Sequence, residues 1–303
     1  MKPSEQTNRF RLDRAVSVGL MHPLMRWLDR RRKGRVPILM YHGIRGGLSQ
    51  KHPYFETATS AEQFAAHMQH LRDYGFVPIH LHQAIEEMHS HGDGSRNVVI
   101  TFDDGYRDFY THAFPILAEH QFKATMFIVT GRTGDAPVYQ DGNEWMTWSE
   151  VREIRRNGIE IGSHTVSHPQ LHSMGVEQVD CEIRQSKEMI EDRLGESVSS
   201  FSYPYAFPEQ DKAFVRLLRS LLESYGYKNG VSTVIGTATC KDDCFFLPRL
   251  PANSYDDLTL YRAKLERGYD WLHLAQLLYK RGLKSINTYP PSATLEADLL
   301  GRN

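Results

Sequence analysis

Cysteine is scarce in this chain: Cys181, Cys240 and Cys244 are the only three in 303 residues. That is too few for a disulfide framework. The spacing of Cys240-Lys-Asp-Asp-Cys244 would suit half a zinc site or a small disulfide loop, but we read it as a polar turn that holds two cysteines. Net charge is also nearly absent, with 36 Lys and Arg against 37 Asp and Glu. Nothing in that balance points to nucleic acid as a partner. No apolar run is long enough to span a bilayer, and there is no internal repeat, low-complexity tract or linker. What remains is a chain with 40% apolar residues, able to bury a sizeable core as one large α/β domain or two small ones.

One-signed charge does appear locally. Residues 9–35 carry Arg9, Arg11, Arg14, Arg26, Arg30, Arg31, Arg32, Lys33 and Arg35 against only Asp13 and Asp29. Phe10, Leu12, Val16, Leu20, Leu24 and Leu28 lie among them at near-helical spacing. The run is interrupted by His22 and Pro23, and no small-residue cleavage site follows, unlike a secretory signal. The expectation is a solvated basic lead-in helix; the alternative is a peripheral contact with anionic lipid on the cytoplasmic leaflet. A cytoplasmic location, free or membrane-associated, goes with either. The chain thus divides into a basic amphipathic extension (1–35), a folded unit (36–285) and a loosely held tail (286–303) that contains Pro290-Pro291.

Within the folded unit, short apolar runs alternate with longer amphipathic ones. Strands are expected at 37–41, 98–102, 125–129, 159–163, 199–203, 230–234 and 245–249, with a further short one at 76–79. Helices are expected near 61–74, 81–90, 107–120, 149–157, 177–194, 209–224 and 270–281. Such alternation implies a parallel sheet with right-handed crossovers. Seven or eight units in this length fit a distorted (β/α) barrel better than an open sheet.

The unusual residues gather at the C-terminal ends of these strands, where barrels and open α/β sheets alike build their sites. His42 follows the first strand, Asp103 and Asp104 the second, His164 the fourth, and Tyr203-Pro204-Tyr205 the fifth. In Thr101-Phe102-Asp103-Asp104-Gly105, two adjacent carboxylates close a buried strand just where the backbone turns at glycine. One could bind a metal while the other acts as a base. Downstream, Ser163-His164-Thr165-Val166-Ser167-His168 offers two histidines four apart, a spacing that can grip one ion. In a chain with fifteen histidines that spacing is weak evidence by itself, and His168 with His172 forms a competing pair.

The two motifs together resemble the polysaccharide deacetylase family, also called the nodulation-protein B homology domain or carbohydrate esterase family four. The similarity runs from about Val36 to about Ala252. The resemblance implies that Asp103 is the catalytic base and that Asp104, His164 and His168 hold a divalent metal, most commonly Zn2+, with Co2+ or Ni2+ also suited to such ligands. It also implies a substrate: an N-acetylated glycan.

Two departures from the family pattern matter. Its third motif, Arg-x-Pro-Tyr, reads here Ser202-Tyr203-Pro204-Tyr205. The Tyr205 amide could still serve an oxyanion, but the cation that orients the base must come from elsewhere, and Arg249 is the candidate. The late Leu-x-His motif that supplies the general acid is missing. His42, in Met40-Tyr41-His42-Gly43, resembles the first-strand histidine of the subgroup acting on poly-N-acetylglucosamine, so the acid role falls to it. Trp145 and Trp148, around a helix start capped by Thr147, read equally as sugar-stacking rings or core. His80, His82, His89 and His91 are read as surface.

The expected activity is metal-dependent removal of N-acetyl groups from N-acetylhexosamine residues of a polysaccharide or lipid-linked glycan. The alternatives are an O-acetyl esterase or cyclic-amide hydrolase using the same site, or a non-catalytic glycan-binding domain.

Overall fold

The computed structural model describes residues 11–28, 34–45, 56–90, 96–140 and 142–286, with side chains to 280. Arg9, the basic run 30–33, His91 and the tail 287–303 lie outside the described residues. At the amino end, α1 (Leu12–Val16) and α2 (His22–Leu28) join through a π-helical turn at Ser17–Met21. Then come β1 (Arg35–Val36), β2 (Ile38–Tyr41), α3 (Ala61–Asp73), β3 (Val77–Pro78), α4 (Leu81–His89) and β4 (Asn97–Phe102). A second π-helical turn, Phe109–Ala113, leads into α5 (Phe114–His120). Next are β5 (Thr125–Ile128), the hairpin β6 (Val138–Gln140) and β7 (Asn143–Trp145), α6 (Trp148–Arg156) and β8 (Glu160–Ser163). The remainder is α7 (Val176–Leu194), β9 (Ser200–Ser202), α8 (Lys212–Ser224), β10 (Asn229–Ile235), β11 (Ala238–Thr239), β12 (Leu247–Pro251), α9 (Leu258–Leu265) and α10 (Leu272–Ile286).

Strands β2, β12, β10, β9, β8, β5 and β4 are successive parallel neighbours, and β4 pairs back onto β2. The result is a closed seven-stranded parallel barrel with β3 added outside the ring on β4. The strands read as continuous apolar runs because both of their faces are covered: in β4, Val98 through Phe102 are all buried. Alternation divides the core. Ile38, Val99, Phe127, Val231 and Leu247 pack with Leu81, Ala84 and Met88 of α4, while Leu39, Ile100, Phe102, Met126 and Leu250 join the layer beneath the other helices. By the same alternation Thr101 and Asp103 share the face of Val99, inside the barrel. Gly162 is required in β8, because a Cβ there would meet the Phe127 ring at 2.5 Å and the Ser200 carbonyl at 2.9 Å.

Several elements differ from the sequence expectation. The last barrel strand starts two residues late, because Asp243 accepts from the Phe245 amide and caps a turn that absorbs Phe245 and Phe246. Arg249 therefore stands within β12 rather than at its end. The β1–β11 pair, the β6–β7 hairpin and α9 carry too few periodic residues to be read in advance.

The lead-in helix is not solvated all round. Arg11 donates to the Tyr255 carbonyl (2.9 Å), Tyr269 donates to Asp13 (2.9 Å), Trp271 Nε1 donates to Ser17 Oγ (3.0 Å), and His22 meets Glu266 (2.7 Å). Its polar side is the docked one, while Leu12, Leu20, Trp27 and Leu28 are each more than half exposed. Amphipathic periodicity alone predicts the reverse orientation. Cys240 and Cys244 are free, and Asp242 closes their turn by accepting from the Thr239 amide and hydroxyl. No helix among the described residues is long and apolar enough to cross a membrane.

Candidate active site

The barrel brings the sequence-predicted residues together at its C-terminal mouth. Asp103 is 2% exposed, and Arg249, contributed from β12, is fully buried. The two form a bidentate pair, Nη1 to Oδ1 at 2.9 Å and Nη2 to Oδ2 at 2.7 Å. Arg249 also donates to Thr101 Oγ1 (3.1 Å), Ser202 Oγ (3.1 Å) and the Ser232 carbonyl (2.9 Å), so its planar fork is held on every side. Ser202, where the family pattern has arginine, donates to Asp103 Oδ1 (3.1 Å). A small residue on β9 leaves space for a guanidinium arriving from β12. Burial alone would raise the Asp103 carboxyl, but the charge of Arg249, followed by His164, the Arg249 hydrogen bonds and His42, holds it well below the usual carboxylate range. His42 Nε2 lies 4.0 Å from Asp103 Oδ2, with about a fifth of its side chain exposed.

Asp104 turns the other way. Its φ of 76° puts it in the left-handed region, and Gly105 follows at the same angle. Successive left-handed residues carry the chain off the strand, so that neighbouring carboxylates face one pocket in different roles. Asp104 Oδ1 lies 3.6 Å from His164 Nε2 and 3.4 Å from His168 Nε2. The three ligand atoms all fall within 4.8 Å of one another, the size of a metal site. His164 Nδ1–H donates to the Ser202 carbonyl (2.8 Å), which fixes the tautomer that leaves Nε2 free to ligate. The His168 amide donates to Thr165 Oγ1 (3.0 Å), and Glu182 accepts from the Val166 and Ser167 amides. Burial, then the neighbouring His164, push His168 down to about 4. Thr165, His168 and Tyr205 also have positive φ, so strained backbone concentrates here. This donor set fits a divalent cation.

Tyr205 is half exposed, and its ring lies 4.5 Å from that of His168. Its carbonyl accepts from Thr233 Oγ1, while its amide finds no acceptor among the described residues. Other expectations are corrected. Tyr203 is fully buried against Phe207 and Phe214, so its side chain is core, not a substrate contact. Trp148 is 1% exposed, packed in the core as the first residue of α6 and covered by Arg193, so it cannot stack on a sugar. Trp145 is buried too, but beside Tyr106, at 5.4 Å between ring centres. His172 stands apart, near Phe214. His82 and His89 are exposed as read, whereas His80 is only partly so and lies 3.7 Å from Glu160.

Sequence reasoning missed Thr101, Tyr106, Arg45 and Arg132. Tyr106 follows the double aspartate directly. Burial and the Asp104 carboxylate hold its phenol above the ordinary range, while Arg45 and Arg132 pull the other way. The two arginines carry no local signal, since loop closure alone brings them here.

This architecture agrees with what the chain is similar to. The family described as polysaccharide deacetylase matches residues 90–230, which include every residue of the double-aspartate and histidine motifs. That match spans just under half of the chain. It is 29% identical over 225 residues, 74% of each chain, to the Bacillus subtilis (strain 168) protein YxkH, which is named for the same family. It is 37% identical over 121 residues to the Escherichia coli (strain K12) poly-beta-1,6-N-acetyl-D-glucosamine N-deacetylase, a match covering 36% of this chain and only 17% of that enzyme. The Streptococcus pyogenes deacetylase PplD, solved with acetate, shares the fold at a TM-score of 0.65 and 24% identity, over 76% of this chain and 98% of that one.

Proposed function

We propose that this chain hydrolyses the acetamide of N-acetylglucosamine-type residues in a polysaccharide or lipid-linked glycan, with a divalent metal, Zn2+ before Co2+ or Ni2+, held by Asp104, His164 and His168. The carrying observation is one mouth that holds a buried, arginine-clamped carboxylate beside a separate Asp/His/His cluster. An ion in that cluster supplies Lewis-acid polarisation of the acetamide carbonyl and makes water more acidic. Asp103 takes the proton of the attacking water, its orientation set by Arg249 and Ser202. The Tyr205 amide donates to the oxyanion as the carbonyl carbon becomes tetrahedral. His42, its Nε2 4.0 Å from Asp103, gives a proton to the departing amine, so acetate and a free amino sugar result.

We assign this activity to residues 36–285, with 1–35 as an appended segment and 286–303 as a tail. The outward-facing Leu12, Leu20, Trp27 and Leu28, in a stretch rich in arginine, favour a peripheral contact of residues 9–35 with an anionic bilayer. Co-sedimentation with anionic but not neutral vesicles, lost in Leu20→Asp with Trp27→Asp, is the expected outcome.

The deciding experiment for the activity is acetate release by the zinc-loaded protein from N-acetylglucosamine oligomers, with Asp103→Asn as control. Release that rises with oligomer length and vanishes in the variant supports the reading. A metal-loaded protein inert on every oligomer refutes it.

A further inference from the structure

The loops around this site carry two cations that the hydrolytic machinery does not use. Arg45 follows β2, and Arg132 closes a short helical turn, Thr130–Arg132, after β5. The guanidinium of Arg45 lies 5.4 Å from the centre of the Tyr106 ring and donates to Asn143 Oδ1 on the hairpin. That of Arg132 lies 4.8 Å from the Trp145 ring. The two rings are themselves adjacent, and the Tyr106 hydroxyl faces Asp104. A two-ring platform therefore holds both guanidiniums beside a metal ligand.

Among the described residues neither has a counterion at ion-pair distance, in contrast to several arginines elsewhere in the fold. Arg107, Arg155, Arg193, Arg219 and Arg249 each lie within 3.0 Å of a carboxylate. Arg45 and Arg132 have no carboxylate at ion-pair distance among the described residues, and residues 46–55 contain no Asp or Glu. Asp108 faces Arg45 from beyond that distance, half-buried, with a buried Oδ1 that lacks a partner. The buried Nε1–H of Trp145 also lacks an acceptor there. Donors thus outnumber acceptors on this wall, and Asp103 already neutralises Arg249. Such a wall is complementary to an anion. Guanidinium forks match phosphate and carboxylate geometry, and stacking on rings fixes them before the ligand arrives.

We propose that Arg45 and Arg132 form an anion subsite beside Asp104 that takes a phosphate or carboxylate group carried by the glycan, close to the acetamide under attack. The subsite presupposes the deacetylase reading and narrows its substrate to an acidic glycan. A phosphate at this position is what a sugar joined to a lipid carrier would present; a carboxylate is what a uronate-containing polymer would present.

The test is calorimetric titration of the full chain, with acetate release measured in parallel, on three matched tetrasaccharides. These are neutral N-acetylglucosamine, the same tetramer phosphorylated on a hydroxyl, and an alternating glucuronate–N-acetylglucosamine tetramer. The expected result is binding about ten-fold tighter for one acidic tetramer than for the neutral one, with the advantage falling as salt is raised. Which acidic tetramer binds better identifies the group. The advantage should shrink to about two-fold or less in Arg45→Gln and in Arg132→Gln, each read singly, so that a variant that fails to fold leaves the other to decide. Equal binding of all three tetramers, or an advantage that survives both substitutions, overturns the subsite. Selective binding of acidic tetramers without acetate release from any of them retains the subsite and refutes the deacetylase reading. Acetate release with no acidic preference does the opposite.

Discussion

Replacing Arg249 with methionine tests the centre of this site, because it removes one half of a fully buried ion pair and leaves the other half in place. In the variant Asp103, 2% exposed, would retain only the Ser202 hydroxyl as a direct donor. Stranding a buried charge in this way costs about 3–5 kcal/mol. For a domain of this size that lowers the melting temperature by roughly 10 °C. The chemistry should shift as well. Asp103 lies below its unfolded value in the native protein, so its pairing stabilises the fold fully above the ordinary carboxylate range and loses that contribution as pH falls. Without Arg249 the first-named influence, burial, is no longer outweighed, and the carboxyl rises. Calorimetry and a pH profile of kcat/KM together form the assay: the acidic limb should move to higher pH by about one unit or more. The double variant with Asp103→Asn should be less destabilised than the sum of the single variants, since the neutral amide needs no counterion. A single variant with unchanged melting temperature and an unmoved acidic limb would refute the claim that Arg249 replaces the family's third-motif arginine.

Three further outcomes are expected. His42→Ala should lower kcat by about 10²-fold or more with metal content unchanged, as removal of a general acid does; near-normal turnover would reassign that role. His164→Ala should lose bound metal, measured by elemental analysis, and chelated wild-type protein should regain acetate release on addition of Zn2+ or Co2+. His67 is buried, its Nε2–H donating to the Asp256 carbonyl (2.8 Å) and its Nδ1 accepting from Tyr41 (3.1 Å), and burial lowers it to about 4. Its neutral form is the folded one, so its contribution is complete above pH 6.5, and about 3 kcal/mol should be lost as pH falls from there to about 4. Urea titrations across that range should show the loss in wild type and a flatter slope in His67→Gln.

Much of the architecture was legible in the sequence because parallel barrel strands are buried on both faces. The apolar runs of β2, β4, β5 and β8 announce themselves, and so do the carboxylates and histidines that follow them. Asp103, Asp104, His164 and His168 are close in sequence to those strand ends, so strand position alone delivers them to one mouth. Arg249 is legible only as a candidate cation near the end of the last apolar run, and closure of β12 onto β2 supplies its geometry against Asp103. What local pattern could not decide was which side of a side chain's surroundings is water. Trp148 reads equally as a sugar platform or as core, and only the packing of α6 against the barrel buries it. The amino-terminal helix has an apolar stripe that periodicity assigns to the protein, yet Arg11, Asp13, Ser17 and His22 make the docking contacts and the leucines face outward. Arg45, Tyr106 and Arg132 come from separate loops with no shared motif. Their meeting beside Asp104 depends on long-range closure of the barrel, and that is a property of the tertiary structure alone.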